Sequence, residues 1–160
     1  MIAARESISE FIKAKVTSDL SGITVPEMKF SVRASNQAPE FPNTLNLYFY
    51  DDSNADDSQF NPHYRSLAAT LELLIQVEPS EPLVAEKQAY QVCHLVNQFL
   101  AVQSMPKKDY SVNPATSMGS SIAWRDSYPV EWITAPNQDE RYIQKSAFLL
   151  FRYFEEPIYA

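Results

Sequence analysis

The chain has 160 residues, a net charge of −7, 45% hydrophobic residues and 21% charged ones. That length suits one domain, spanning 1–160, able to bury about two thirds of its unfolded surface, and the composition excludes global disorder. With 13 Lys and Arg spread thinly against 20 Asp and Glu, no basic stripe exists to hold nucleic acid by charge.

Rare residues exclude more. The one cysteine, Cys93, rules out an internal disulfide and any zinc site built on several thiolates; beside Val92 and Leu95 it reads as a small buried hydrophobe. The two glycines, Gly22 and Gly119, stand far apart, which excludes Walker-type and dinucleotide-type phosphate loops and the nucleophile elbow. No apolar run approaches the roughly 18 to 20 residues needed to cross a bilayer, and the opening MIAARESISEF carries none. Neither signal peptide nor anchor is expected, and a cytoplasm-like compartment is.

In chain order, ESISEFIKAKVTSDLSG places Ile8, Phe11, Ile12, Val16 and Leu20 on one helical stripe, with two starts open, a capping box of Ser7 and Glu10 or a start nearer Ile2, and Gly22 as the stop. In MKFSVRAS, Met28, Phe30, Val32 and Ala34 alternate with polar residues, which predicts a half-buried strand. TLNLYFY sets Leu45, Leu47 and Phe49 against Asn46, Tyr48 and Tyr50, an outward face that is largely aromatic. After the polar loop DDSNADDSQFNPH, six alternations from Leu67 to Val77 predict a strand over 64–77, about 45 Å long at roughly 3.3 Å per residue. The first three strands are expected as an antiparallel meander.

The period changes at Ser80. Ala85, Ala89, Val92, Val96, Phe99 and Leu100 share a helical stripe, with Ser80 as N-cap and Pro82 in the first turn. A loop to about Ser120 is expected next, then one or two strands broken at Pro129, then a closing strand in ERYIQKSAFLLFRYFEEPIYA. In that strand Ala147, Leu149, Phe151 and Tyr153 point one way, and Phe148, Leu150, Arg152 and Phe154 the other. Apolar residues on both faces predict a strand covered on two sides or one that meets a partner, with Arg152 paired to an acid such as Glu72 in the first case. The whole reads as α+β: an antiparallel sheet with a long third strand and two main helices packed on one face.

Chemistry is thinly signalled. Asp52, Asn54 and Asp56 begin a calcium-loop spacing, but the glycine is missing and His63 stands where a glutamate is needed. His63 and His94, the only histidines, lack flanking nucleophile motifs. The adjacent acids Asp139 and Glu140, and Glu155 and Glu156, point to opposite faces of a strand and do not converge. Trp124, Tyr128 and Trp132 have only Arg125 as a local cation, too little for a base-stacking groove. Neither a catalytic residue, a metal nor a cofactor is assigned.

The element order, carried by ISEFIKAKV, LAATLELLIQV, YQVCHLVNQFLAV, SYPVEWITAPNQDERY and YIQKSAFLLFRYFEEP, resembles the tail terminator, or tail completion, proteins of long-tailed bacteriophages. The resemblance implies a non-enzymatic virion protein, assembled in the host cytoplasm, six copies of which form a ring on the tail tube. Such a ring ends tube or sheath addition and joins the neck and head-completion proteins. It implies subunit contacts through Tyr48, Tyr50, Phe148, Leu150, Arg152 and Phe154. It also implies an acidic loop of Asp51, Asp52, Asp56 and Asp57 facing a lumen through which DNA passes without specific binding. A neighbouring neck protein shares this outline; a small cytoplasmic enzyme, or an adaptor that binds by strand addition, are the readings from other classes.

Overall fold

A computed structural model of the chain describes residues 2–17, 28–34, 36–39, 43–53, 64–101, 104–124, 131–134 and 141–154, with the backbone alone for residues 2, 50–53, 64, 99 and 124. Two long strands form its spine. β3 (Tyr64–Gln76) and β7 (Tyr142–Phe154), each 13 residues, pair antiparallel along their entire length, from Tyr64 opposite Phe154 to Gln76 opposite Tyr142. Around them the strands run β1 (Lys29–Val32), β2 (Thr44–Ser53), β3, β7, β5 (Thr116–Trp124), β4 (Ser104–Asp109), and β6 (Trp132–Thr134) also pairs with β7.

Two strand expectations need correction. β1 is parallel to β2, not antiparallel. A hairpin turn needs only a few residues, whereas the stretch 33–43 between these strands is long enough to carry the chain back to the start of β1 before β2 begins. The segment expected to be a loop up to Ser120 is instead the hairpin of β4 and β5. Its pattern was hidden because β4 contains Pro106 and two lysines, and β5 contains Gly119. Proline is tolerated in β4 because this strand ends the sheet, and the register shifts between Pro106 and Lys108.

α1 (Ile2–Lys15) buries Ala4, Ile8 and Ile12, four apart, on one stripe that continues to Val16. Of the two starts, the helix takes the one at Ile2, so Ser7 is not its cap; Leu20 and Gly22 lie outside the described residues. The Ser7 hydroxyl instead accepts the Lys108 backbone N–H at 2.9 Å and so ties α1 to β4. α2 (Pro82–Phe99) has Glu81, not Ser80, at its N-cap and starts on Pro82, whose fixed φ suits the first helical position. Its buried stripe is Ala85, Ala89, Val92, Cys93 and Val96, with Leu100 just past the end.

The mixed fold is as expected, with both helices on one sheet face. Leu45, Leu47, Leu67, Ala69, Leu71, Leu73, Ile75, Met105, Ile122, Ala147, Leu149, Phe151 and Tyr153 meet the two helical stripes in one buried cluster. α1 lies along β4, while α2 crosses β3 and β7. Every odd position of β7 from Ala147 to Tyr153 is thus committed to the core.

Candidate interaction face

The even positions of β7 look away from the helices, and cross-strand register says what they meet. Tyr48, Thr70 and Phe148 form one row across β2, β3 and β7; Ala68 stands opposite Leu150, Ser66 opposite Arg152, and Tyr64 opposite Phe154. On β6, Ile133 stands opposite Ser146 and shares this face, diagonal to Phe148.

The half of this face over β2 and β3 is polar and closed. Thr44, Asn46, Thr70 and Glu72 are buried. Arg33 closes them over: its Nε donates to Glu72 Oε1 at 2.9 Å, and its guanidinium stacks 4.1 Å from the centre of the Tyr48 ring. Arg33 Nη1 also donates to the carbonyls of Ala34 at 3.0 Å and Gln37 at 2.6 Å, while Gln144 donates to Glu72 Oε2 at 3.3 Å. A buried acid in a sheet requires such a partner set.

The half over β7 and β6 is apolar and open. Phe148 is 57% exposed and Ile133 67%, Leu150 and Phe154 are half-buried, and Arg152 is exposed. The residues expected at a subunit contact therefore divide. Phe148, Leu150, Arg152 and Phe154 stay together on the open half. Tyr48 sits half-buried under Arg33, and the side chain of Tyr50 lies outside the described residues.

Arg152 does not pair with Glu72. The latter is opposite Ser146, six positions along β7 and so about 20 Å away at roughly 3.3 Å per residue. Nor do Asp51 and Asp52 begin a loop. β2 continues through them to Ser53, with Asp52 opposite Leu67, because a register shift after Phe49 absorbs one extra residue. Asp56, Asp57, His63, Arg125, Tyr128, Pro129, Asp139, Glu140, Glu155 and Glu156 fall outside the described residues.

Other polar groups have local roles. Cys93 is buried, and burial pushes its thiol up to about 12, against a smaller opposing pull from the positive charge of Lys145. His94 is exposed on α2, 3.3 Å from Gln98 Nε2. Trp132 Nε1 donates to Asn97 Oδ1 at 3.1 Å and pins β6 to α2. The Ser111 hydroxyl and backbone N–H hold the Asp109 carboxyl below its usual range. Among the described residues no group of three or more His, Cys, Asp or Glu is placed to hold a metal ion, and no helix is long and apolar enough to cross a membrane.

Sequence reasoning missed Ile133 on the open face and Lys107 in β4. Ile133 sits in a three-residue strand too short to show a period. Lys107 is fully buried, with Nζ donating to the Phe154 carbonyl at 2.8 Å and lying 5.6 Å from the Tyr153 ring. A lysine beside a proline reads as loop, and nothing local announces its burial.

No family model matches the chain, and no curated protein does. Among solved structures, 14 chains match it. One, whose name states no activity, superposes with a TM-score of 0.55 at 11% identity, covering 98% of this chain and 96% of its own. That likeness extends from end to end and concerns the fold alone.

Proposed function

We propose that this protein is a structural component of a virion, of the tail-terminator type, whose copies close into a ring of six at the end of a tail tube. The supporting observation is the open face of β7. A central strand, paired on both edges, exposes Phe148, and the short β6 beside it exposes Ile133, on the side away from the helices. Monomeric proteins rarely leave large apolar side chains grouped on a sheet face, and such grouping favours protein contact. The order of elements supports the same reading: an amphipathic first helix, a very long third strand, a core helix and a long closing strand.

In this role the chain performs no catalysis. Its ring meets the tube protein, and the sheath protein if there is one, on one side and neck or head-completion proteins on the other. The acids at 51, 52, 56 and 57 keep the lumen negative, so DNA passes without adhering.

Cryo-electron microscopy of particles containing the chain, together with native mass spectrometry of the purified protein, tests this. The expected result is a sixfold ring at the head-proximal end of the tail, burying more than roughly 1,000 Å² at each subunit contact. Density elsewhere in the neck reassigns it to a neighbouring connector. A protein that stays monomeric and is absent from every particle overturns the proposal.

A further inference from the structure

The ladder between β1 and β2 leaves half of the backbone groups of β1 unused. The N–H groups of Lys29 and Arg33 donate to the carbonyls of Asn43 and Leu47 at 3.0 and 2.9 Å. In a parallel pair alternate residues bond the same neighbour, so Ser31 also turns its backbone to β2, while Phe30 and Val32 turn theirs outward. β1 ends the sheet, and among the described residues the outward N–H and C=O groups of Phe30 and Val32 meet no partner. The row closes at Ala34, whose N–H is held by Gln37 Oε1 at 2.9 Å and whose carbonyl accepts the Gln37 N–H at 3.0 Å.

The side chains along this edge are unfinished too. By register Phe30 and Val32 continue the helix-side row of Leu45 and Leu47, which are fully buried, yet Val32 is 50% exposed. The apolar layer therefore stops one strand short of covering it. On the other side of β1, Arg33 is taken up by Glu72, whereas Lys29 is exposed. Residues 28–39 contain no acid, in a chain whose net charge is −7. The opposite edge of the sheet is built differently. β4 contains Pro106, a register shift and an inward lysine, and α1 lies along it. These features keep an edge from pairing, and β1 has neither proline nor register shift.

We propose that β1 receives an extended segment of a partner protein by strand addition. In that segment apolar residues, which complete the row of Phe30 and Val32, alternate with acidic ones, which meet Lys29. Backbone bonding supplies the affinity and the alternation supplies the selectivity. The contact is short, because β1 has four residues. It does not depend on the ring reading, and its test requires no ring.

The probe is a short synthetic peptide alternating valine and glutamate, with a valine–lysine peptide as its control, titrated into the full chain by fluorescence anisotropy. The glutamate peptide should bind saturably, at least about tenfold tighter than the lysine peptide, and slow hydrogen exchange at the Phe30 and Val32 amides. Val32→Pro removes an outward N–H that β2 does not use, so it should melt as the native chain does and bind at least about tenfold more weakly. A fully N-methylated peptide repeats that test without altering the chain.

Equal binding of the two charge types, or of the N-methylated peptide, overturns the proposal. So does peptide protection at 104–109 instead of at β1, or no saturable binding. Protection of Phe30 and Val32 that rises with protein concentration alone means that a second copy takes the edge, and overturns it as well.

Discussion

Adjacent residues on one strand can have opposite fates, and Cys93 and His94 show the same on a helix. Cys93 belongs to the stripe packed on the sheet, and His94, one position on, is exposed. Burial pushes the Cys93 thiol from 9.0 to about 12, so the folded chain holds this proton more tightly than the unfolded one. Its contribution to stability is thus intact below pH 9 and is lost as pH rises from about 9 to 12, at up to about 1.4 kcal/mol per pH unit. Urea unfolding across that window should show a steeper alkaline loss for the native sequence than for Cys93→Ala. The alanine variant is weaker near neutral pH because it opens a small cavity, but its profile is flatter. Equal slopes would mean that water reaches the thiol. Glu72 shows the other way of burying an ionisable group, with Arg33 and Gln144 supplying donors that replace water.

At the scale of elements, β4 shows how a strand can be stable while contradicting its own composition. Lys107 points inward on the same side as Met105, and its Nζ donates to the carbonyl of Phe154, the last residue of β7. Lys107→Met keeps the apolar stem and removes the donor. A hydrogen bond to a charged group contributes about 1.5–3 kcal/mol, so amides of residues 151–154 should exchange with solvent at least about tenfold faster, while those of 67–73 are unchanged. Hydrogen exchange resolved by peptide reads both. Uniform acceleration across β3 and β7 would show that the lysine supports the entire core instead.

Where the period was long, the sequence was legible. Six alternations located β3 within a residue and the stripe located the start of α2 within two, though not its end at Phe99, and the closing strand was readable from its paired apolar faces. What escaped was decided by partners distant in sequence. The parallel β1, the hairpin of β4 and β5 and the inward Lys107 all depend on what lies beside them in the sheet. The open face was half legible. Phe148, Leu150, Arg152 and Phe154 could be grouped by alternation alone, but whether Tyr48 joined them depended on Arg33, and Ile133 became a neighbour only through the register of β6.

For the molecule as a whole, the division between core and open face separates stability from the proposed assembly. Leu149→Ala removes a side chain that is fully buried, and should cost about 2–5 kcal/mol. Phe148→Ser, next to it, should change stability by less than about 1 kcal/mol and abolish association. Thermal unfolding together with sedimentation velocity distinguishes these outcomes, and a Phe148→Ser variant that assembles normally would remove this face from the interface. The pairing around β7 has a mechanical consequence as well. Among the described residues, β3 grips β7 through 13 residue pairs and β5 grips it through three, at Ile122, Ala123 and Trp124. α1 lies along β4 and so rides with that hairpin. Under load, β3 and β7 behave as a stiff beam because their bonds share any shear, and the hairpin with α1 behaves as a wing held to it by strand pairs at Ile122 to Trp124 and by the apolar side chains of the shared core. Apolar contacts slide where paired strands resist shear, so a force pulling the two apart tilts the wing before the beam gives way.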